Sequence, residues 1–320
     1  MEQEKQEFLL SLGPFQGITD APFRKVFQKH FKGIDKYYTP FFTGIQKDHA
    51  KNLQGEEIDP NINDVSCLTP QILSTDAEEI ARFATQCKEL GYKEINLNMG
   101  CPFPRVANKK RGSGLLPYPD KIKALFDGVF ERIDIQFSVK CRLGYFDAKE
   151  IDTLVDIFNA YPLSELIIHP RIGKQLYKGE ADVEKFTELI PCLKAPLAYN
   201  GDITTVERFN VIREKVQPVD MFMLGRGLLA NPFLAEDIKG IQDTRNRKTR
   251  LRAYVDDLYE ERLRHAGGSP KVLGRMKELW SYLMYNFDDP QDVWRSIKKL
   301  NALKDYEEAV DKVFELEVCY

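Results

Sequence analysis

Cys101 stands between Gly100 and Pro102 at the end of the apolar run "EINLNM", and Arg105, Lys109, Lys110 and Arg111 follow it within ten residues, with glycines at 112 and 114. A thiol can attack a carbon, ligate a metal or donate a proton. No histidine lies near it in sequence to act as its base. A free cysteine in a core is usually a small apolar filler, but a strand end followed by Pro102 puts this one on a loop. The four cations, taken alone, read as a solvated cluster. Beside a thiol they are also what a phosphodiester substrate needs for positioning. Cys67, Cys87, Cys141 and Cys192 lie in or beside apolar segments and read as core or strand residues, and Cys319 is in the tail.

Other strand ends carry polar residues. Lys140 follows "FSV" inside an apolar run; a lysine there either reaches solvent or offers its charge to an electron-rich ring or a phosphate. His169 and Arg171 are two residues apart, so on an extended segment they point the same way and can grip one group together. "YNGDI" and "LGRG" bring Asn200, Gly201, Asp202, Gly225 and Arg226 to two further ends, where glycines let the backbone approach a ligand and Arg226 adds a charge-assisted contact. Gln16, with Gly17, and Gln71 occupy two more.

These residues need strands to collect them. Eight runs read as buried strands: 8–15, 36–42, 67–73, 94–99, 137–143, 165–170, 196–201 and 220–227, with helical-period segments such as "DAEEIARFATQCKELG" between several of them. Eight strands alternating with helices predict an α/β fold, a TIM (β/α)8 barrel, whose active site gathers at the C-terminal strand ends and whose phosphate site follows the seventh and eighth strands. After about residue 240 the composition changes: residues 245–304 hold 14 Lys/Arg against 8 Asp/Glu in a chain of net charge −3. "TRLRAYVDDLYEERLRHA", "RMKELWSYLMYNF" and "DVWRSIKKLNAL" read as helices, predicting a small all-α helical-bundle domain. We therefore expect domains 1–240 and 241–320. The stretch 46–64 offers no pattern to read.

At 320 residues with 43% hydrophobic and 30% charged content the chain is ordinary for a globular protein. The cysteines form no CxxC pair and the histidines no HxxxH, so no metal site is expected. No run reaches the length of a membrane span and the N-terminus lacks a signal peptide, which predicts a cytoplasmic protein with reduced thiols. A monomer is the default expectation.

The segments "PFQGITDAPFR" (14–24), "NLNMGCPFPRVANKKRGSGLL" (96–116), "SVKCRLG" (138–144), "HPRIGKQLYKG" (169–179), "NGDI" (200–203) and "GRGLLANP" (225–232) resemble, in order and spacing, those of the tRNA-dihydrouridine synthases. The resemblance covers nearly the whole chain, from residue 8 to about 305, and its most specific part is the asparagine–methionine–glycine–cysteine–proline loop. It implies a flavin-containing TIM barrel followed by a helical tRNA-binding domain, reducing a D-loop uridine of tRNA with FMN as cofactor and NADPH as reductant. By motif position, Pro14, Phe15 and Gln16 would border the flavin, Gln71 and Lys140 would contact its ring, and Asn200, Gly201, Asp202, Gly225 and Arg226 would hold its phosphate end. His169 and Arg171 match the family's phosphate-facing and substrate-facing pair. Asn98 would bond the uracil and Cys101 would be the proton donor, with Arg105, Lys109, Lys110 and Arg111 on the RNA. The chain departs from the family pattern at Gly13–Phe15, where Ala-Pro-Met is usual, and at Pro170 and Ile172, where His-Ala-Arg-Thr is usual.

Two other readings share some of these features. A flavin barrel acting on a small pyrimidine, like a dihydroorotate dehydrogenase, would share the strands and phosphate loops but has no need of a basic helical domain. A non-catalytic RNA-binding protein would explain the basic segments and leave Cys101 without a task.

Overall fold

The structure is a computed structural model that describes residues 8–45, 55–265 and 268–319. Of the unread stretch 46–64, residues 46–54 lie outside the described residues. The eight expected strand runs all appear as β1 (Leu9–Leu12), β2 (Lys36–Tyr38), β3 (Leu68–Thr69) with β4 (Gln71–Ile72), β5 (Glu94–Met99), β6 (Gln136–Gly144), β7 (Leu166–Ile172), β8 (Leu197–Tyr199) and β9 (Met221–Leu224). The third run counts twice because Pro70 has no N–H to continue the ladder; its carbonyl still accepts from Asn96 N at 2.9 Å. All pairings are parallel, in the order β3-β2-β1-β9-β8-β7-β6-β5-β4, and the split third strand joins both ends of that order into a barrel.

The barrel interior is layered. At the N-terminal end Lys36 donates to Glu94 at 3.1 and 2.9 Å and to Glu165 at 2.6 Å, and the Tyr38 hydroxyl donates to the same Glu165 oxygen at 2.6 Å. These residues come from strands that are not neighbours, so their bonds cross the lumen. Burial alone would lower the Lys36 pKa, but Glu165 and Glu94 outweigh it and the pKa is raised. Toward the C-terminal end follows an apolar layer of Tyr38, Ile167, Ala198 and Met223, with Met221 against it. Gln71, Asn98, Lys140, His169 and Asn200 then form a polar layer at the mouth. The two-residue period of the strands places them there: Lys140 is two after Ser138, and His169 two after Ile167.

The helices between strands are short and capped where their sequences allow. They are α1 (Ala21–His30), α2 (Ala77–Glu89), α3 (Pro104–Ala107), α4 (Pro119–Phe130), α5 (Val155–Asn159), α6 (Val183–Leu189) and α7 (Val206–Lys215). In α2 the Asp76 carboxylate accepts from Glu78 N at 2.9 Å, and the buried face of Ile80, Phe83, Ala84 and Cys87 follows helical spacing.

By compactness the chain forms two units: the chain up to Pro14 with Ile34–Ile203 and Glu207–Leu224, and Phe15–Gly33 with Thr204–Val206 and Gly225–Tyr320. The second unit contains α1 together with α8 (Arg226–Ala230), α9 (Leu234–Lys239), α10 (Arg247–His265), α11 (Ser269–Leu283), α12 (Pro290–Ile297) and α13 (Leu303–Val313). Phe23, Phe27 and Phe31, spaced by four along one face of α1, set their rings 6.3, 6.1 and 5.0 Å from the Tyr254 ring of α10. Arg262 of α10 reaches Asp20, the N-cap of α1, at 2.8 and 3.0 Å. Trp280 of α11 donates to the Tyr306 hydroxyl of α13 at 3.0 Å. The expected helix "DVWRSIKKLNAL" is helical only as far as Ile297: Leu300 N bonds Ile297 O at 3.2 Å, a tight turn that ends α12, and α13 begins at the last residue of the segment, Leu303. Among the described residues no helix is long and apolar enough to cross a membrane, and no three His, Cys, Asp or Glu side chains group to hold a metal.

Candidate active site

In the first unit β5 ends in a turn that fixes Cys101. The Asn98 side-chain oxygen accepts the N–H groups of Gly100 and Cys101 at 3.1 and 2.9 Å, and its amide nitrogen donates to Gln71 at 2.7 Å. The Gln71 amide in turn donates to Asn96 at 2.8 Å, and Asn96 to the Ser138 hydroxyl at 2.9 Å. An uninterrupted row of side-chain amides thus ties the thiol's backbone to three strands. Gln71 and Asn96 are fully buried, so the row cannot drift without losing its bonds. Asn98, expected to bond the uracil, is therefore also the clamp of the Cys101 turn, with one amide hydrogen left over.

The glycine-rich follow-on closes this turn from the other side. Ser113 donates to the Cys101 carbonyl through both its N–H and its hydroxyl, each at 3.0 Å. Gly112 has φ +56, and a Cβ there would lie 2.7 Å from that carbonyl; at Gly114 a Cβ would lie 2.2 Å from the Ala107 oxygen. Cys101 itself is only 9% exposed. Burial pushes its thiol pKa up, against weaker downward pulls from the Phe103 N–H and the charges of Arg105 and Arg142, and the net shift is upward.

Lys140 donates to Asn200 at 2.7 Å, and Asn200 donates to the Met223 carbonyl at 2.8 Å. The first of these bonds passes over β7 and so lies inside the barrel. Burial first, and then Arg142, lower the Lys140 pKa to about 7.

His169 and Arg171 share a side, as their spacing requires, but they bind each other: Arg171 Nη1 lies 2.9 Å from His169 Nε2. A guanidinium only donates, so that imidazole nitrogen is the unprotonated one and the ring proton resides on Nδ1. Arg171 also donates to the Gly179 carbonyl at 2.6 Å and to Asp202 at 2.5 Å, and it is 2% exposed. Asp202, which has φ +45, accepts from Ala181 N as well, at 2.9 Å. Arg171 and Asp202 are thus brought together with each other under His169. Gly201 is buried beside them, where a Cβ would lie 2.9 Å from Ala181 Cβ.

The remaining expected residues are placed as follows. Pro14 is half-buried in the first unit, just past β1. Phe15, Gln16, Gly225 and Arg226 belong to the second unit. There the Phe15 N–H donates to Thr19 at 2.8 Å, its ring is 6.4 Å from that of Tyr282, and Gly225 precedes α8, which starts at Arg226. Arg105 lies on α3, and Lys109, Lys110 and Arg111 follow it, with Lys110 at φ +55. Cys192, expected in an apolar segment, is exposed on the turn after α6, whereas Cys87 and Cys141 are buried as expected.

Arg142, which the sequence marks only as a polar residue at a strand end beside Lys140, and Tyr177, which it does not single out, position the site. Arg142 donates to the Gly100 carbonyl at 3.0 Å and to those of Ile172 and Leu176 at 3.0 and 2.7 Å, tying the Cys101 turn to the loop after β7. Tyr177 lies over the Arg142 guanidinium at 5.4 Å and beside the His169 ring at 6.2 Å. The signal for Arg142 was its two-residue distance from Lys140. Tyr177 sits on a loop, where period says nothing.

Fold and site together define a parallel β/α barrel with a buried, hydrogen-bonded thiol and a desolvated lysine at its C-terminal mouth. The chain belongs to the dihydrouridine synthase family, whose model matches residues 11–315. It is 31% identical over 227 residues to tRNA-dihydrouridine synthase B of Pasteurella multocida, a match spanning 70% of this chain and 66% of that one. It is 29% identical over 244 residues to the protein of the same name from Salmonella typhimurium, covering 73% of this chain and 72% of its relative. Among solved structures, histamine dehydrogenase from Rhizobium sp. 4-9 superposes with a TM-score of 0.50 at 12% identity, over 79% of this chain and 48% of that one, a likeness of fold alone.

Proposed function

We propose that this protein is a flavin-dependent tRNA-dihydrouridine synthase, reducing the C5–C6 bond of a D-loop uridine with FMN as cofactor and NADPH as reductant. The observation that carries the reading is Cys101: a thiol held by backbone bonds at the barrel mouth, with its pKa raised so that it keeps its proton at neutral pH. Such a group is a general acid, which needs no histidine base.

The residues at the mouth fit a flavin. The apolar layer of Tyr38, Ile167, Ala198 and Met223 offers a dry floor. Lys140 faces the lumen with an amide, not a carboxylate, as its partner, so its charge is available to an anionic ring edge. Gln71 and Asn200 supply further amides. When bound, the flavin supplies the hydride that goes to uracil C6. Cys101 holds the proton destined for C5, Asn98 keeps the thiol's turn in register, and Arg171 fixes the His169 ring. Pro14, Phe15, Gln16, Gly201, Gly225 and Arg226 complete the flavin assignment by motif position. We assign the C-terminal helices, residues 241–320, to the tRNA elbow on the basic stretch 245–304 within them, and we place the protein, as a monomer, in the cytoplasm.

The test uses protein reconstituted with FMN, NADPH and an unmodified tRNA transcript, read by mass spectrometry for a gain of two hydrogens on one uridine. Cys101→Ala should lower product formation by a factor of about 10²–10⁴ while flavin content and tRNA binding stay close to wild type. Wild-type turnover by that variant would remove Cys101 from the chemistry. Reduction of a free pyrimidine in place of tRNA would move the protein to the small-molecule class.

A further inference from the structure

Beside the Cys101 loop, between the first turn of α2 and the outer face of α4, the first unit has an open cavity of ≈ 570 Å³. Three lysines line it: Lys109 and Lys110 from the loop after α3, and Lys121 from the first turn of α4. All three are exposed, and among the described residues no carboxylate lies within ion-pair distance of any of them. The one acid in the lining, Asp76, turns its carboxylate to its own helix, accepting from Glu78 N and Glu79 N at 2.9 and 3.4 Å. Lys110 and Lys121 both stand against the Tyr118 ring, at 4.6 and 5.3 Å from its centroid, so one aromatic ring holds both like charges. Lys110 reaches this position from a left-handed backbone, φ +55, which a residue with a side chain adopts only when its surroundings impose it. The floor is apolar, formed by Leu115, Ala124 and Leu125.

Like charges that converge without a counter-ion repel each other, and an anion placed among them removes that repulsion. The volume exceeds that of a single ion and lies in the range of small-molecule pockets. An apolar floor under a cationic rim matches a sugar ring with its phosphate. We propose that this cavity is a subsite for one phosphodiester and its ribose on the RNA backbone, held by Lys109, Lys110 and Lys121, with Tyr118 setting the spacing of the last two. This rests on the tRNA reading above and deepens it. Lys121 lies outside the segments that carry the family likeness, so the RNA track runs from the Cys101 loop onto α4. Phosphate contacts of this kind set the register of the chain and carry no base information.

The experiment measures binding of an unmodified tRNA transcript to flavin-loaded wild type, Lys121→Gln, Lys121→Arg and Lys110→Gln by fluorescence anisotropy over a series of KCl concentrations. Each glutamine variant should bind several-fold more weakly at low salt. Its slope of log affinity against log salt should be shallower by about 0.7–0.9, the value of one released counter-ion. Lys121→Arg should restore both. A Lys121→Gln protein with wild-type affinity and slope overturns the subsite while leaving the tRNA reading intact. Wild-type protein without salt-dependent tRNA binding overturns both. Titration with adenosine monophosphate is the second arm: binding of that mononucleotide lost in Lys121→Gln, with tRNA binding unchanged, makes the cavity a nucleotide pocket and also overturns the proposal.

Discussion

Burial moves the two reactive side chains at the barrel mouth in opposite directions, and in each case it favours the uncharged form. The Cys101 thiol is raised and stays protonated; the Lys140 ammonium is lowered to about 7 from an ordinary 10.5. For Lys140 the sign of the linkage follows directly. Between these two values the unfolded chain binds a proton that the folded chain does not, so stability rises with pH across that window, and the penalty is full below it. Lys140→Met should therefore stabilise the cofactor-free protein at about pH 6, by about 2 kcal/mol after allowing for the lost bond to Asn200, and much less above about pH 10. Thermal denaturation at the two pH values checks this, and an equal effect at both would show that Lys140 is not desolvated. The same variant should bind FMN more weakly, because the mouth loses a lumen-facing ammonium.

At the scale of elements, the segment from the end of β5 to the start of α4 is held at both sides: Asn98 clamps the Cys101 N–H and Ser113 clamps its carbonyl. Its glycines are geometric requirements. Gly114→Ala puts a Cβ 2.2 Å from the Ala107 carbonyl, so the chain between Cys101 and Leu115 must shift. We expect a loss of about 1–3 kcal/mol in urea unfolding and at least about tenfold in dihydrouridine formation, since misplacing an acid by an ångström is enough for that. Flavin binding should persist, because Gln71 and Lys140 sit on strands. Gly55→Ala, at a position with nothing among the described residues within 4 Å, is the control and should change neither quantity. Retained activity in Gly114→Ala would mean that the loop's geometry does not set the acid's position.

At the scale of the whole molecule, the shift in charge near residue 240 suggested a cut at that point, but packing groups the chain differently. The stretch 15–33, early in the sequence, gathers with Gly225–Tyr320 because the three phenylalanines of α1 find their apolar partner in Tyr254 and its capping Asp20 finds Arg262. Each such ring withdrawn from water is worth about 2–3 kcal/mol. A fragment ending at residue 240 should expose Phe23, Phe27 and Phe31 and aggregate. Soluble yield and binding of a hydrophobic dye measure this. A soluble fragment that melts cooperatively would show that α1 has another cover.

The periodic and local features were legible in the sequence for a physical reason: strands repeat every two residues and helices every 3.6, so the eight runs, the capped α2 and the polar strand ends declare themselves without tertiary information. Cys101 was legible for the same reason, as a thiol at a strand end before a proline. Contacts between residues far apart in sequence were not. That Arg171 pairs with Asp202 and fixes His169, that Arg142 binds the Gly100 carbonyl, that Lys121 of α4 converges with the lysines after α3, and that α1 packs on α10 all depend on distances in space that no period encodes. The sequence by itself determined the barrel and the strand-end loop that carries Cys101. Tertiary structure decided which charges are paired, which are buried, and therefore which remain free to act.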